Sequence, residues 1–221
     1  MKKVLIPLVM FGIILAATSC QKPEEVTISK YFQCMKANDL GSLASMAAEP
    51  VSLKFKSWKF VSSEAPITED VVLPGLMQKK EELEATRKEQ LKTVADKKDA
   101  FEEIEGTGGK KAQQAIADAE TALNDETAKF KALQAELNEL KAKIENEKNL
   151  VKLSTSIERD PEIYEGTVIT QKAHTQVTLE NGDVKDYTFL LRKYNLTNPA
   201  TKKIMNSRFV ILKLAPTEEI K

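Results

Sequence analysis

Apolar residues in the middle of the chain keep a helical beat. Ile116, Ala119, Leu123, Glu126, Phe130, Leu133, Leu137, Leu140, Ile144, Glu147 and Val151 alternate spacings of three and four. This is the a/d seam of a heptad repeat, interrupted by two glutamates. The preceding stretch, 76–105, is weaker: Leu76, Leu83, Val94, Phe101 and Ile104 fit one seam, and Leu91 lies one residue off it. Neither 76–105 nor 110–152 contains Gly or Pro, and both are rich in the strong helix formers Ala, Glu, Lys, Gln and Leu. Between them lies Gly106-Thr107-Gly108-Gly109. Three of the chain's eight glycines fall in that tetrapeptide, which reads as a turn. The pattern predicts an antiparallel helical hairpin, a coiled coil with the glycine turn at its tip. At a rise of about 1.5 Å per residue the arms reach roughly 45 and 65 Å. The longer helix is expected to overhang by about 20 Å on the same rise and to seat its base, residues 140–151, on the remainder of the chain.

The flanking sequence has other periods. Pro23-Glu24-Glu25 opens a helix, with proline and acids where the first turn favours them. Ile28, Tyr31, Phe32 and Met35 form one apolar face of it. Asn38-Asp39 caps a second short helix whose expected apolar face is Leu40, Leu43, Ala44 and Ala47, with Pro50 as its stop. Val51, Leu53 and Phe55 alternate with polar residues and predict a strand. The parity flips at Trp58 and Phe60, which predicts a bulge near Ser57. Residues 167–179 predict a long strand with Ile169, Ala173, Val177 and Leu179 facing inward. Asn181-Gly182 is a strong hairpin signal. Residues 184–194 return with Tyr187, Phe189 and Leu191 inward, and 209–214 supply a last strand. The fold class expected is α+β: a curved antiparallel sheet packed on N-terminal helices, with a long inserted antiparallel α-hairpin.

Lys2 and Lys3 precede an apolar run of about 14 residues, and Ala17-Thr18-Ser19-Cys20 ends it. Spanning a bilayer takes roughly 20 residues, so the run reads as a secretory signal rather than a membrane span. It resembles the signal of bacterial lipoproteins, with Ala17 where that family prefers leucine. The resemblance implies cleavage before Cys20, acylation of Cys20 by a diacylglyceryl group and an N-acyl chain, and anchoring by that lipid. Gln21, in place of aspartate, implies the outer membrane and a periplasmic location by the enteric rule. Removal of residues 1–19 takes two of the 33 basic residues and none of the 33 acidic ones, for a net charge near −2. There is no basic excess to argue for nucleic acid. With Cys20 lipidated, Cys34 has no partner for a disulfide, and its neighbours Tyr31, Phe32 and Met35 point to a buried inert thiol.

The order of two helices, a strand carrying a tryptophan and a meander closing on Asn-Gly also resembles the nuclear transport factor 2-like, or cystatin-like, fold. The residues that carry it are Tyr31-Phe32, Asn38-Asp39-Leu40, Ser57-Trp58-Lys59-Phe60-Val61 and Thr178-Leu179-Glu180-Asn181-Gly182-Asp183. The chain departs from that pattern through the inserted hairpin. Insertion there is physically mild, since the loop-closure cost grows only logarithmically with length. The expected domains are a signal peptide at 1–19, a discontinuous cone-shaped domain at 20–73 and 153–221, and the hairpin at 74–152.

Candidate chemistry is sparse. His174, the sole histidine, falls on the parity opposite Ile169 and Val177, so it faces away from the core. With no second histidine and no spare cysteine, a zinc or copper site is not expected. Trp58, Tyr187 and Phe189 are the residues a ligand pocket of such a fold would use, and equally the residues a core would use. Gly106–Lys110 lacks the glycine spacing and preceding strand of a phosphate loop. No catalytic residue, cofactor or metal is expected. The function expected is that of a membrane-anchored, non-enzymatic scaffold that meets an envelope protein through its coiled-coil arm. The alternatives are a small-molecule or lipid-binding pocket protein and an efflux-type periplasmic adaptor, which also carries an inserted hairpin. Such adaptors begin with a strand, whereas residues 24–48 read as two helices.

Overall fold

The computed structural model describes residues 22–105, 110–155, 157 and 159–220, the side chains of 110–112 excepted. The signal segment, Cys20 and the glycine tip at 106–109 lie outside the described residues. The chain is α+β and divides into two units. One runs to Val71 and resumes at Leu150; the other is Val72–Asn149.

The first unit opens with α1 (Pro23–Lys36) and α2 (Leu40–Met46). Pro23 stands in the first turn of α1, Glu24 and Glu25 complement the positive end of its dipole, and Lys36 the negative end. Ile28, Tyr31, Phe32 and Met35 are buried on one face, each contributing roughly 1.5–3 kcal/mol by leaving water. Asp39 caps α2 by accepting from the Ser42 amide at 3.0 Å and its hydroxyl at 2.6 Å. These two bonds, the hydroxyl's first, hold the Asp39 carboxyl below the usual aspartate range. The four-residue apolar face expected on α2 is reduced to Leu43 and Ala47. Leu40 is 63% exposed and Ala44 is exposed. A helix of two turns meets its support through one residue per turn, and the i, i+4 pair takes that role.

The sheet is an open, five-stranded antiparallel one, with β1 (Phe55–Ser63), β2 (Ile67–Asp70), β3 (Glu165–Leu179), β4 (Val184–Thr197) and β5 (Val210–Pro216). Its order is β1-β3-β4-β5, and β2 pairs farther along the same edge of β3 that β1 uses. The ladder of β1 starts at Phe55 opposite Leu179, not at Val51 as the alternation suggests. Leu179 is the last residue of β3, so 51–54 have no partner strand. Val51 instead exchanges both backbone bonds with the Tyr31 hydroxyl, which accepts from its N–H at 2.8 Å and donates to its carbonyl at 3.1 Å. Burial raises the Tyr31 pKa more than the bond to Val51 lowers it. The expected bulge is present between Phe55 and Ser57, and it brings Phe55, Trp58 and Phe60 to one core.

Odd-numbered positions of β3 and β4 (Ala173, Val177, Tyr187, Phe189 and Leu191) pack beneath α1 and α2. Phe189 meets the rings of Tyr31 and Phe32 edge-on at 6.0 and 5.5 Å. Even-numbered positions Val168, Tyr194, Leu196 and Val210 build a second cluster on the other face with Leu150, Val151 and Ile157. Two faces of the sheet are therefore covered at this end, where the sequence pattern anticipates one. The turn into β4 spans Glu180 to Asp183, with Gly182 at φ 96°.

The second unit pairs α3 (Leu73–Glu105) with most of α4 (Lys110–Thr155). Pro74 sits in the first turn of α3. Leu73, Leu140 and Ile144 form a buried cluster with Leu76, Met77 and Leu83 against it. The expected seating of 140–151 on the rest of the chain is thereby divided: Leu140 and Ile144 belong to the helical unit, Leu150 and Val151 to the sheet unit.

Candidate functional site

The helical pair is the element with the most distinctive chemistry. Along α4, Leu137, Leu140, Ile144 and Glu147 are buried at the predicted spacing, and Ile116, Ala119, Leu123, Glu126, Phe130 and Leu133 are half-buried. Leu91, off the predicted seam of α3, is 51% exposed. Where apolar seam residues of α3 run out, Arg87 and Gln90 occupy the helical spacing and are half-buried. Arg87 Nη1 donates to Gln134 Oε1 at 2.7 Å. Gln90 Nε2 donates to Glu126 Oε2 at 2.6 Å, and Lys129 donates to the other carboxylate oxygen at 2.7 Å. Nearer the open end, Lys79 pairs with Glu136 at 2.9 Å and Lys141 with Glu84 at 3.1 Å. From Glu84–Lys141 through Arg87–Gln134 to Gln90–Glu126, rising numbers on α3 meet falling numbers on α4, so the pairing is antiparallel. The bonds from Lys129 and Gln90 lower the Glu126 pKa, and the bond from Lys141 lowers that of Glu84. The sequence pattern shows Glu126 only as a flaw in the seam. Its partner Gln90 is visible only by asking which polar residue on α3 shares the i, i+3, i+4 positions.

The sheet unit does not assemble the three pocket candidates around one cavity. Phe189 is fully buried and Tyr187 nearly so, both in the core beneath the helices. Trp58 stacks on Phe32 with ring centroids 4.6 Å apart. It borders a shallow surface hollow with Gln33, Lys36, Phe55, Lys56 and Ser57, and neither Tyr187 nor Phe189 lines it. Cys34 is a half-buried free thiol packed against that core.

His174 sits on the opposite face and links three elements. Its Nδ1 is 2.9 Å from Thr188 Oγ1 and its Nε2 is 3.1 Å from Glu64 Oε1. Thr188 Oγ1 donates in turn to Thr217 Oγ1 at 3.0 Å. Carboxylate, imidazole and hydroxyl in a row is the order that activates a nucleophile. Here Thr188 is 1% exposed, and the row ties Glu64, just past the end of β1, to His174 of β3 and Thr188 of β4. Among the described residues no group of three or more His, Cys, Asp or Glu side chains is placed to hold a metal ion. Among them also, no helix is long and apolar enough to cross a membrane.

Comparison with protein-family models, with curated proteins and with solved structures returns no match to this chain.

Proposed function

We propose that this protein is a lipid-anchored, non-enzymatic interaction protein of the bacterial cell envelope, and that its helical pair is the arm that docks a protein partner. The observation that carries the reading is the polar ladder inside the pair. Arg87–Gln134, Gln90–Glu126, Lys79–Glu136 and Glu84–Lys141 join α3 to α4 without a second chain. Polar pairs in such a seam select one register and orientation at a cost in stability. A seam closed between two helices of one chain leaves the outer faces of both helices for a partner. Leu91 on α3 and the small, exposed Ala115 and Ala117 on α4 lie there. Small residues let another helix approach closely. At about 1.5 Å per residue, α3 alone offers roughly 50 Å of such surface. Two N-terminal helices carried on one face of an antiparallel sheet support the nuclear transport factor 2-like reading over the efflux-adaptor one. The signal pattern ending at Cys20 supports the anchor.

A photo-crosslinking amino acid at Leu91, and a second at Lys110, tests the arm in living cells. One defined envelope protein captured from either position is the expected outcome. Unchanged partners after deletion of residues 76–152 would sink the reading. Acylation of Cys20 is read separately, as the mass of the N-terminal peptide.

A further inference from the structure

A hollow of about 400 Å³ opens at one edge of the sheet unit, bounded by Pro23, Val26 and Lys30 of α1, Met46 of α2, Lys193 of β4, and Arg208 and Phe209 at the entry to β5. Lys193 is the informative residue. Phe189, Leu191 and Lys193 share one parity of β4; the first two are fully buried, and Lys193 takes the next position on that core-facing side, half-buried. A charge at a core position breaks the binary pattern, and such breaks collect at functional sites. It has company of its own sign. Among the described residues no carboxylate forms an ion pair with Lys30, Lys193 or Arg208.

Arg208 is held in place before any ligand arrives. Its amide donates to the Ser154 carbonyl at 2.9 Å, and its own carbonyl accepts from Ser154 Oγ at 2.7 Å. Its side chain donates from Nε to the Leu153 carbonyl and from Nη2 to the Ser45 carbonyl, both at 3.1 Å. Those carbonyls end α4 and α2, so the guanidinium caps two helices. Nη1 donates to no acceptor among the described residues. Beside the three cations, Val26, Met46 and Phe209 supply an apolar wall, and the volume lies within the range of small-molecule sites.

We propose that this hollow binds an organic phosphate. The anionic oxygens would lie against Lys193, Lys30 and Arg208 Nη1, with the attached carbon chain on Val26, Met46 and Phe209. Charge-assisted bonds to a preorganised guanidinium and two ammonium groups are the strong kind, and the apolar wall selects an ester over the bare ion. Two sources carry this chemistry, a phospholipid headgroup and a soluble phosphate ester. If Cys20 is acylated, Pro23 stands within roughly 10 Å of it along the chain, which puts headgroups within reach. That clause rests on the anchoring reading; the binding site does not.

The test is equilibrium binding to the full chain, with soluble dihexanoyl phosphatidic acid and glycerol phosphate as probes. Saturable binding of either is expected, weakened at least about tenfold by Lys193→Gln, less by Lys30→Gln, and unchanged by Lys213→Gln on β5. Binding of the lipid alone assigns a headgroup; comparable binding of both assigns a soluble ester. Failure of both probes to saturate, or a Lys193→Gln variant that binds as the native chain does, overturns the proposal. Trp58 fluorescence confirms that each variant is folded. A negative result leaves the arm and the Cys20 anchor untouched, since neither experiment reads the hollow.

Discussion

Replacing Gly166 by alanine tests the register of the sheet at its most exacting point. Gly166 lies in β3 opposite Leu196, with φ at 143°, a region that side chains other than hydrogen rarely enter. A Cβ placed there falls 2.0 Å from the Asn195 carbonyl oxygen, where packed Cβ atoms keep beyond 3.0 Å. The obstacle is backbone, so no rotamer change relieves it. β3 must draw away from β4, and the Gly166 carbonyl, which accepts from Val71 N–H at 3.2 Å, moves with it. Backbone strain of about 1–3 kcal/mol and two or so weakened hydrogen bonds at roughly 0.5–1.5 kcal/mol each give a loss of about 2–6 kcal/mol. Gly182→Ala is the internal control. Gly182 also has positive φ, at 96°, but nothing lies within 4 Å of its added Cβ. Its cost is conformational alone, about 1–2 kcal/mol. The assay is equilibrium urea unfolding followed by fluorescence of Trp58. It is the chain's one tryptophan and lies in the sheet unit, so the signal reports on that unit. Far-ultraviolet circular dichroism, dominated by α3 and α4, should change little at low denaturant. Equal losses for the two variants would refute the steric argument.

Three further outcomes are expected. Phe189→Ala removes a fully buried ring from contact with Tyr31 and Phe32 and should cost about 3–5 kcal/mol in the same urea titration. Ser154→Ala leaves the Arg208 carbonyl and the Tyr194 amide without the hydroxyl that serves both, and should cost about 1–3 kcal/mol, while Ser45→Ala, whose carbonyl persists, should cost far less. The carboxyls of Glu84 and Glu126 titrate below their ordinary value because Lys141, and Lys129 with Gln90, bond the charged forms. A depressed folded-state pKa stabilises above the unfolded value, about 4.3, and that contribution disappears as pH falls through the folded value. Thermal melts of helicity should therefore soften on acidification below about pH 4.3, and the Glu84→Gln, Glu126→Gln double variant should flatten that acid limb; an unaltered limb would show that the ladder is electrostatically idle.

By itself the sequence determined what depends on period and on neighbours along the chain. The three-and-four spacing from Ile116 to Val151 predicts the face of α4 that is buried or half-buried. The two-residue period predicts that Ala173, Val177, Tyr187, Phe189 and Leu191 share a face, and the parity flip at Trp58 predicts the bulge after Phe55. Asp39 declares its cap because the bond it makes is to Ser42, three residues on. Tertiary structure decided everything that depends on which element arrives opposite. β2 is four exposed residues with no alternation, a strand only because β3 extends past β1. Residues 51–54 alternate like a strand and are none, because β3 ends at Leu179. Val168, Tyr194 and Leu196 became a second core face when Leu150 and Val151 came over them. Lys30, Lys193 and Arg208 lie 163 and 15 residues apart in sequence, and only the fold gathers them around one hollow. Periodicity is a local property and burial is not: a pattern states that a face will be covered, and the partner that covers it comes from anywhere in the chain.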